Sequence, residues 1–272
     1  MIQNSLGKLA RQTKSASDYI RWQILGSQNQ SVYFYTLHKC ASSLFAGYIL
    51  PNALGLRHVH LARQIHRHLK NVKLDFEQNG HIYGPIRVSA NRQSAVYDNF
   101  VQHVIQPEFV QDKQAIFFIR DPRDILVSAY YSFGYHHKLS PDKGMRQKQL
   151  ACRSRLQSMD IDDYAIKNFH FFRKNFQLIS DLHRNCQFSL VLKFEQMIND
   201  FDRFARELNR MVRLRPSIIR HAYKVSRPRS NEKNCHRRSG QTGDFRRKLR
   251  ADTIDRLNYQ LADILDEFEY EK

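Results

Sequence analysis

Two segments of this chain join an uninterrupted apolar run to a helical pattern through a short polar turn. Residues 32–37 are β-branched and aromatic, residues 38–43 are polar, and apolar residues at helical spacing follow. The apolar run at residues 115–119 is likewise followed by the polar turn 120–124 and by another helical pattern. Short continuous apolar runs are typical of strands buried on both faces. The repeated unit therefore predicts parallel strands with helices packed on the sheet.

The rest of the chain continues this alternation. Residues 81–88 and 188–194 read as further strands, residues 160–182 as a long helix, and residues 197–211 as a single amphipathic helix. The predicted fold class is α/β, a three-layer α/β/α arrangement with a central, mainly parallel sheet and a P-loop-like strand–loop–helix. We expect residues 1–30 to form a basic arm or short helix and residues 31–272 to form a single domain.

Charge and cysteine usage narrow the class of protein. The chain has 44 Lys and Arg against 26 Asp and Glu, a net charge of +18, which favours anionic partners such as nucleotides, nucleic acid, sulfated glycans or acidic lipid. Its 4 cysteines form no CxxC pair, so neither a zinc site nor a disulfide scaffold is indicated. No stretch resembles a secretory signal or a membrane span. We expect a cytoplasmic protein.

The first polar turn has the features of an anion-binding loop. Lys39 adds a mobile positive charge, and Ser42 and Ser43 place hydroxyl donors at the start of a helix, where backbone N–H groups are unpaired. The glycines of the Walker pattern GxxxxGKS/T are absent. An ordinary capped helix with a solvated lysine is the alternative interpretation.

The second turn offers a matching pair of donors. Arg120 ends a predicted strand and Ser128 lies two turns into the following helix, at the edge where open α/β sheets bind ligands. A guanidinium presents a planar fork to a phosphate. The alternative is that Arg120 pairs with Asp121 or Asp124 in a surface network.

Four blocks together resemble the sulfotransferases that use 3′-phosphoadenosine-5′-phosphosulfate (PAPS). Residues 120–131, RDPRDILVSAYY, resemble the family's 3′-phosphate motif, in which an Arg is followed eight residues later by a Ser. Residues 38–44 are similar to the 5′-phosphosulfate loop PKSGTTW, with Lys39 on its Lys. Residues 238–245 resemble the RKGxxGDW element, and residues 192–195 resemble a strand that ends in Tyr-Glu-Asp. The blocks follow the family's order over nearly the whole chain.

The resemblance implies a transfer of the sulfuryl group from PAPS to an acceptor hydroxyl or amine, with Lys39 stabilising the departing phosphate. PAPS is then the co-substrate and no metal is expected. The residues that would contact PAPS are Lys39, Cys40, Ala41, Ser42, Ser43, Arg120, Ser128, Phe194, Arg238, Ser239 and Gly240. The chain departs from the family pattern at His38, which replaces Pro, and at Ala41, which replaces Gly and must accept the loop's backbone angles.

The acceptor side is less defined by the sequence. A general base is expected on the strand near residue 81, which favours His81, with Glu77 and Asp75 as rivals. Tyr131 and Tyr135 are candidates for an acceptor platform, whereas Tyr130 and Phe133 are expected in the core. The acceptor is unidentified; the positive charge favours an anionic or carbohydrate-like molecule.

Two other functions remain open at this point. A P-loop kinase or phosphotransferase would also use a strand-to-helix loop, but it calls for a glycine-rich loop and a metal-binding acidic residue. A basic nucleic-acid-binding protein without catalysis would suit the charge and the aromatic content, although no zinc finger, GXXG loop or RNP-type motif is present.

Overall fold

The computed structural model describes residues 20, 22–24, 26–61, 76–89, 102–227 and 241–272. Its core is a single five-stranded sheet in the order β2-β3-β1-β4-β5, in which every neighbouring pair is parallel. The strands are β1 Val32–Thr36, β2 Arg57–Val59, β3 His81–Arg87, β4 Gln114–Ile119 and β5 Phe188–Lys193. The prediction of a mainly parallel sheet is confirmed.

In the described residues, helices follow β1, β3, β4 and β5, and the last helix ends at Glu267. The segment after β1 winds as helix α1 (Ser42–Leu44), a π turn (Phe45–Ile49) and a 3-10 turn (Leu50–Asn52), and a further 3-10 turn spans His103–Ile105. A second π turn, Ser132–His136, follows α3. The other helices of the described residues are α2 Pro107–Val110, α3 Pro122–Tyr131, α4 Lys143–Gln157, α5 Ile161–Asn185, α6 Phe194–Asn199, α7 Phe201–Asn209, α8 Pro216–Ser226, α9 Phe245–Lys248, α10 Ala251–Gln260 and α11 Ala262–Glu267.

Alternating side chains of the central strands bind a helical layer to each face of the sheet. Phe34 of β1 points to one face, where its ring stacks on Phe45 with the centroids 4.4 Å apart. The next residue, Tyr35, points to the other face and stacks on Phe117, which in turn contacts His183 of α5. Because both faces are buried, the strands read as continuous apolar runs, and the three-layer arrangement follows.

The parallel arrangement brings four chain segments to one edge of the sheet. The loop 38–41 follows β1, Arg120 follows β4, Arg87 closes β3 and Phe194 follows β5. The chain leaves β1 towards β2 and leaves β4 towards β5, so the connections of these two adjacent strands run in opposite directions. A crevice at such a switch point is where open α/β sheets bind their ligands.

The prediction of one amphipathic helix over residues 197–211 is wrong. The structure has two helices there, α6 and α7, which meet at Asp200. The backbone of Asp200 is not helical (φ −138°, ψ 73°), and its side chain caps α7 by accepting a hydrogen bond from the N–H of Arg203 at 3.0 Å. The apolar face is continuous in sequence, but the local cap ends the first helix and starts the second.

Two further predictions concern the N-terminal segment of residues 1–30 and the location of the protein in the cell. In the described part of the chain, no helix combines the length and apolar character needed to cross a membrane. Residue 20 and residues 22–24 are helical, within the segment predicted to be an arm or short helix. The division at residue 30 and the cytoplasmic location stay predictions.

Candidate functional site

A cavity of about 530 Å³ opens at the carboxyl edge of the sheet. It is bordered by the ends of β1, β3 and β4 and by helices α1, α3, α6 and α8. The residues that line it are His38, Lys39, Ala41, Ser42, Ser43, Leu44, Arg87, Arg120, Asp124, Ser128, Tyr131, Ser132, Phe133, His136, His137, Phe194, Met197, Val225, Ser226 and Asp244.

The loop after β1 turns sharply by placing two residues in the left-handed region. Lys39 has φ 69° and Ala41 has φ 49°, conformations that cost an L-residue roughly 1–2 kcal/mol each. Ala41 occupies the position at which the resembling loop has a glycine, so this alanine carries strain that a glycine would avoid. The turn directs Lys39, Ser42 and Ser43 to the same cavity.

Lys39 lies among other cations. Burial, followed by the positive charges of Arg120 and Arg87, lowers the pKa of Lys39 to about 8. Its Nζ lies 6.0 Å from the centroid of the Phe133 ring. Arg87 also supports the loop, since its Nη2 donates to Ser42 Oγ at 3.2 Å. The result is a concentration of positive charge that an anion would relieve.

Arg120 crosses the crevice between the β1 loop and the C-terminal region. Its Nη1 donates to the carbonyl of Lys39 at 3.4 Å and its Nη2 to the carbonyl of Gln241 at 3.1 Å. The guanidinium lies over the ring of Phe194, 4.4 Å from the centroid. Its buried Nε has no hydrogen-bond partner in the described part of the chain. Arg120 is therefore held in place, and its Nε–H remains available to donate a hydrogen bond to a ligand.

The carboxylate of Asp124 fixes both Arg120 and the segment before α9. It pairs with Arg120 at 3.4 Å and accepts hydrogen bonds from the backbone N–H groups of Gly243 and Phe245, at 2.9 and 3.1 Å. Burial raises the pKa of Asp124, and Arg120 opposes that rise. One of the predicted alternatives for Arg120, pairing with an aspartate, thus occurs with Asp124, in the interior of the molecule and not in a surface network.

Asp121 has a different partner. The guanidinium of Arg123 binds both of its carboxylate oxygens, with nitrogen–oxygen distances of 3.0 and 2.6 Å. Arg123 also donates to Asn258 and to the carbonyl of Glu271, and is only 1% exposed. Arg123 therefore anchors the C-terminal residues, while Arg120 faces the cavity.

The other predicted nucleotide contacts divide into three groups. Ser128 and Phe194 line the cavity with Arg120. The side chain of Cys40 does not line it, because it is fully buried, and burial raises the pKa of its thiol to about 12; only its backbone is available to a ligand. Arg238, Ser239 and Gly240 lie outside the described residues.

The prediction of His81 as the base is wrong on geometric grounds. His81 is the first residue of β3, and Arg87 at the other end lines the cavity, so about 20 Å of strand separates His81 from it. The ring of His81 packs against Trp22 and Tyr83, and its Nδ1 contacts the carbonyl of Asn79 at 2.7 Å. It is a buried residue of the opposite edge. The rival Glu77 precedes it in the chain, and Asp75 lies outside the described residues.

Sequence reasoning missed several residues of the cavity wall. The position of Arg87 could have been predicted. A charged residue at the carboxyl end of a buried parallel strand lies at the same edge of the sheet as the loops after β1 and β4. His136 ends the second π turn and His137 follows it, and no spacing rule marks them. Of the aromatics, Tyr131 and Phe133 line the cavity and Tyr135 does not.

In sequence, no protein-family model and no curated protein matches this chain. In structure it is similar to mouse sulfotransferase SULT7A1 complexed with PAP, with a TM-score of 0.53, 11% identity, and coverage of 89% of this chain and 85% of that chain. It is also similar to a retinol dehydratase in a complex with retinol and PAP, with a TM-score of 0.51, 12% identity, and coverage of 89% and 82%. The chain has the sulfotransferase fold.

Structural similarity at a sequence identity of 11–12% establishes that this chain shares the fold, and nothing finer. The chemistry has to be argued from the residues that this chain places at the cavity. Two groups of anion-binding side chains lie there: Lys39 in the loop after β1, and Arg120 directly after β4 with Ser128 in α3. They come from adjacent strands and share one cavity.

Proposed function

We propose that this chain is a PAPS-dependent sulfotransferase, which moves a sulfuryl group from PAPS to a hydroxyl or amine of an acceptor. The observation that carries the proposal is that Lys39 and Arg120, at the ends of two adjacent parallel strands, face one cavity. A nucleotide with phosphate on both its 3′ and 5′ positions needs two separate anion sites at one crevice. Binding of PAP by structures of the same fold supports this assignment.

In this proposal Arg120 and Ser128 hold the 3′-phosphate. The unpartnered Nε of Arg120 is a buried donor, and such a donor gains most from a charged acceptor. Asp124 and Phe194 keep the guanidinium in its plane, one by an ion pair and the other by ring contact. Arg238, Ser239 and Gly240 would cover the same phosphate from the segment that precedes Gln241.

The β1 loop would bind the 5′-phosphosulfate. Ser42, Ser43 and the loop amides provide neutral donors, and Lys39 stabilises the negative charge that develops on the bridging oxygen as the sulfur–oxygen bond breaks. Sulfuryl transfer, like phosphoryl transfer, is an in-line displacement, so positioning and positive charge account for most of the catalysis. Arg87, which holds Ser42, orients the same loop from β3.

Nucleotide binding tests the proposal directly. Isothermal titration calorimetry should give a dissociation constant for PAP at least tenfold below that for AMP, because only PAP carries the 3′-phosphate. Arg120→Ala should weaken PAP binding about 30-fold, the loss of a charged hydrogen bond worth about 2 kcal/mol, and should leave AMP binding nearly unchanged. Arg256→Ala, an exposed arginine of α10, is the matched control. Equal affinities for PAP and AMP in the wild-type protein would reject the proposed function.

A further inference from the structure

Sulfuryl transfer to a hydroxyl or amine requires a proton acceptor, and the strand that was expected to supply it does not reach the cavity with His81. We propose that His38, the residue immediately before Lys39, is the general base that takes the proton from the acceptor. This inference rests on the proposed function, because it assigns a residue to the other half of the same reaction. It is an assignment specific to this chain, which has a histidine where the resembling loop has a proline.

The carboxylates of the cavity wall are already engaged. In the described part of the wall they belong to Asp124 and Asp244. Asp124 binds Arg120 and two backbone amides, and Asp244 pairs with Arg247 at 3.0 Å. Both lie on the side of the cavity formed by Arg120. Of the described lining residues, this leaves the imidazoles of His38, His136 and His137 as proton acceptors.

Position favours His38 among the three. Its Cα is one residue, about 3.8 Å, from that of Lys39, whose proposed target is the bridging oxygen of the bond that breaks. It extends from β1, the central strand, and is half-buried, whereas His136 is exposed at the end of a turn. His137 is half-buried and packs against Phe133, on the α3 side of the cavity. A base must be fixed near the reacting atoms, and β1 provides that fixation.

Burial and the neighbouring positive charges keep the imidazole of His38 free of a proton. Burial lowers the pKa of His38 to about 4, and the positive charges of Arg87 on β3, of Lys39 on the same loop and of His137 after α3 contribute. At neutral pH the ring is therefore uncharged and has a lone pair available. It is also a weak base, because burial and, to a smaller extent, the same cations oppose its protonation.

Nucleotide binding should make this base stronger. The phosphosulfate brings negative charge to Lys39 and Arg87, and this charge offsets the electrostatic part of the pKa lowering. The pKa of His38 then rises towards the range in which imidazoles act as general bases. His38 would thus become an effective base only when the sulfuryl donor is in place.

The chemical step balances without any further reactant. The acceptor oxygen or nitrogen forms a bond to sulfur, and the bond between sulfur and the bridging oxygen of the 5′-phosphate breaks. The electron pair of the broken bond remains on the phosphate, next to Lys39. The acceptor's proton goes to the imidazole of His38, and the imidazolium later releases it to solvent.

The first test follows the proton on His38 itself. Protein labelled with ¹³C at histidine is titrated by NMR with and without saturating PAP, and His38→Gln identifies the signal. We expect a low pKa in the free protein and a rise of at least about one unit with PAP. A His38 that is already protonated at pH 7 in the free protein, or a pKa that PAP leaves unchanged, would overturn the inference. Failure to bind PAP would instead reject the proposed function.

The second test measures proton removal from an acceptor of known identity, water. Release of PAP from labelled PAPS is followed for the wild-type chain, His38→Gln and His137→Gln, with His170→Gln, an exposed residue of α5, as the control. Loss of a general base should slow release about 100-fold in His38→Gln, while its dissociation constant for PAP stays within about twofold. Retention of the wild-type rate and pH profile by His38→Gln, or the larger loss in His137→Gln, would overturn the assignment.

Discussion

The ammonium group of Lys39 is useful to the proposed reaction only while it carries its proton. Burial and the neighbouring Arg120 and Arg87 lower its pKa to about 8, so the charged form is lost as pH rises through that value. We therefore expect kcat/KM for PAPS, which reports on the free enzyme, to be constant between about pH 5 and 7 and to fall above about pH 8. Initial rates of PAP release at low PAPS concentration measure this profile.

An arginine at position 39 provides the control for this profile. Lys39→Arg keeps its charge well above pH 10, so its lower rate should show no decline between pH 8 and 9.5. Lys174→Arg, an exposed change on α5, should retain the wild-type profile. If wild type and Lys39→Arg decline in parallel, another group is responsible for the alkaline limb.

At the residue scale, the sequence predicted which residues reach the cavity better for the two polar turns than for β3. Lys39, Ser42, Ser43, Arg120 and Ser128 all lie where the two polar turns placed them, because a turn after a buried parallel strand has one possible edge. His81 was misplaced because its position at the start of β3 was not weighed. Direction along a strand decides which edge a residue reaches, and by that rule Arg87, and not His81, is the residue of β3 that reaches the cavity.

Among the elements, α3 and α9 are joined by one buried carboxylate. Asp124 of α3 accepts from the backbone before and at the start of α9 and pairs with Arg120. Asp124→Ala should lower the free energy of unfolding by about 3 kcal/mol, because it leaves a buried cation and two amides unpaired. It should also weaken PAP binding, since Arg120 loses its support. Urea denaturation and calorimetry measure the two effects.

Two further variants make this result specific. Asp124→Asn retains one carbonyl oxygen as acceptor and should be destabilised less than Asp124→Ala. Asp181→Ala changes an exposed residue of α5 and should be nearly neutral. A loss of less than about 0.5 kcal/mol in Asp124→Ala would mean that the segment before α9 is held by other contacts.

The junction of α6 and α7 is where local chemistry overrode the periodic pattern. The apolar residues of 197–211 fit one helix, but Asp200 caps α7 through the N–H of Arg203. The four longer strands and the long helix α5 were predictable because burial imposes their periodicity, whereas a break depends on one side chain and its backbone angles.

The cap at Asp200 has a measurable stability. Asp200→Ala should lower the free energy of unfolding by about 1 kcal/mol, because the N–H of Arg203 loses its acceptor. Asp200→Asn or Asp200→Ser should recover most of that loss. Asp255→Ala in the exposed middle of α10 serves as the control and should cause little change. Equal stability of Asp200→Ala and wild type would indicate that the helix break does not depend on the cap.

For the whole molecule, the fold and the site favour one of the three functions that the sequence left open. The parallel sheet is common to kinases and sulfotransferases, so the sheet alone does not separate them. The β1 loop has no glycine and turns instead through Lys39 and Ala41, which does not favour a P-loop kinase. The net charge would suit nucleic acid, but Lys39, Arg87 and Arg120 line a cavity whose volume is typical of a small-molecule site.

The same net charge should make the stability of the molecule depend on salt. With a net charge of +18, repulsion between cations opposes the compact state, and α4 alone carries five Lys and Arg without an acidic residue. Exposed ion pairs such as Arg173–Asp263 contribute little and do not offset it. We expect the free energy of unfolding to rise as NaCl increases from about 50 to 500 mM, over which the screening length shortens severalfold.

Charge variants separate repulsion from other effects of salt. Lys148→Glu on the exposed face of α4 replaces one of the helix's cations with an anion and should raise the free energy of unfolding by about 0.5 kcal/mol at low salt. This gain should shrink at high salt, because salt screens the charge interactions that produce it. Asp255→Lys alters the net charge in the opposite direction and should destabilise under the same conditions. If the wild-type protein loses stability as salt is added, or if Lys148→Glu is destabilising at 50 mM, attractive ion pairs outweigh the repulsion and the net charge does not limit stability.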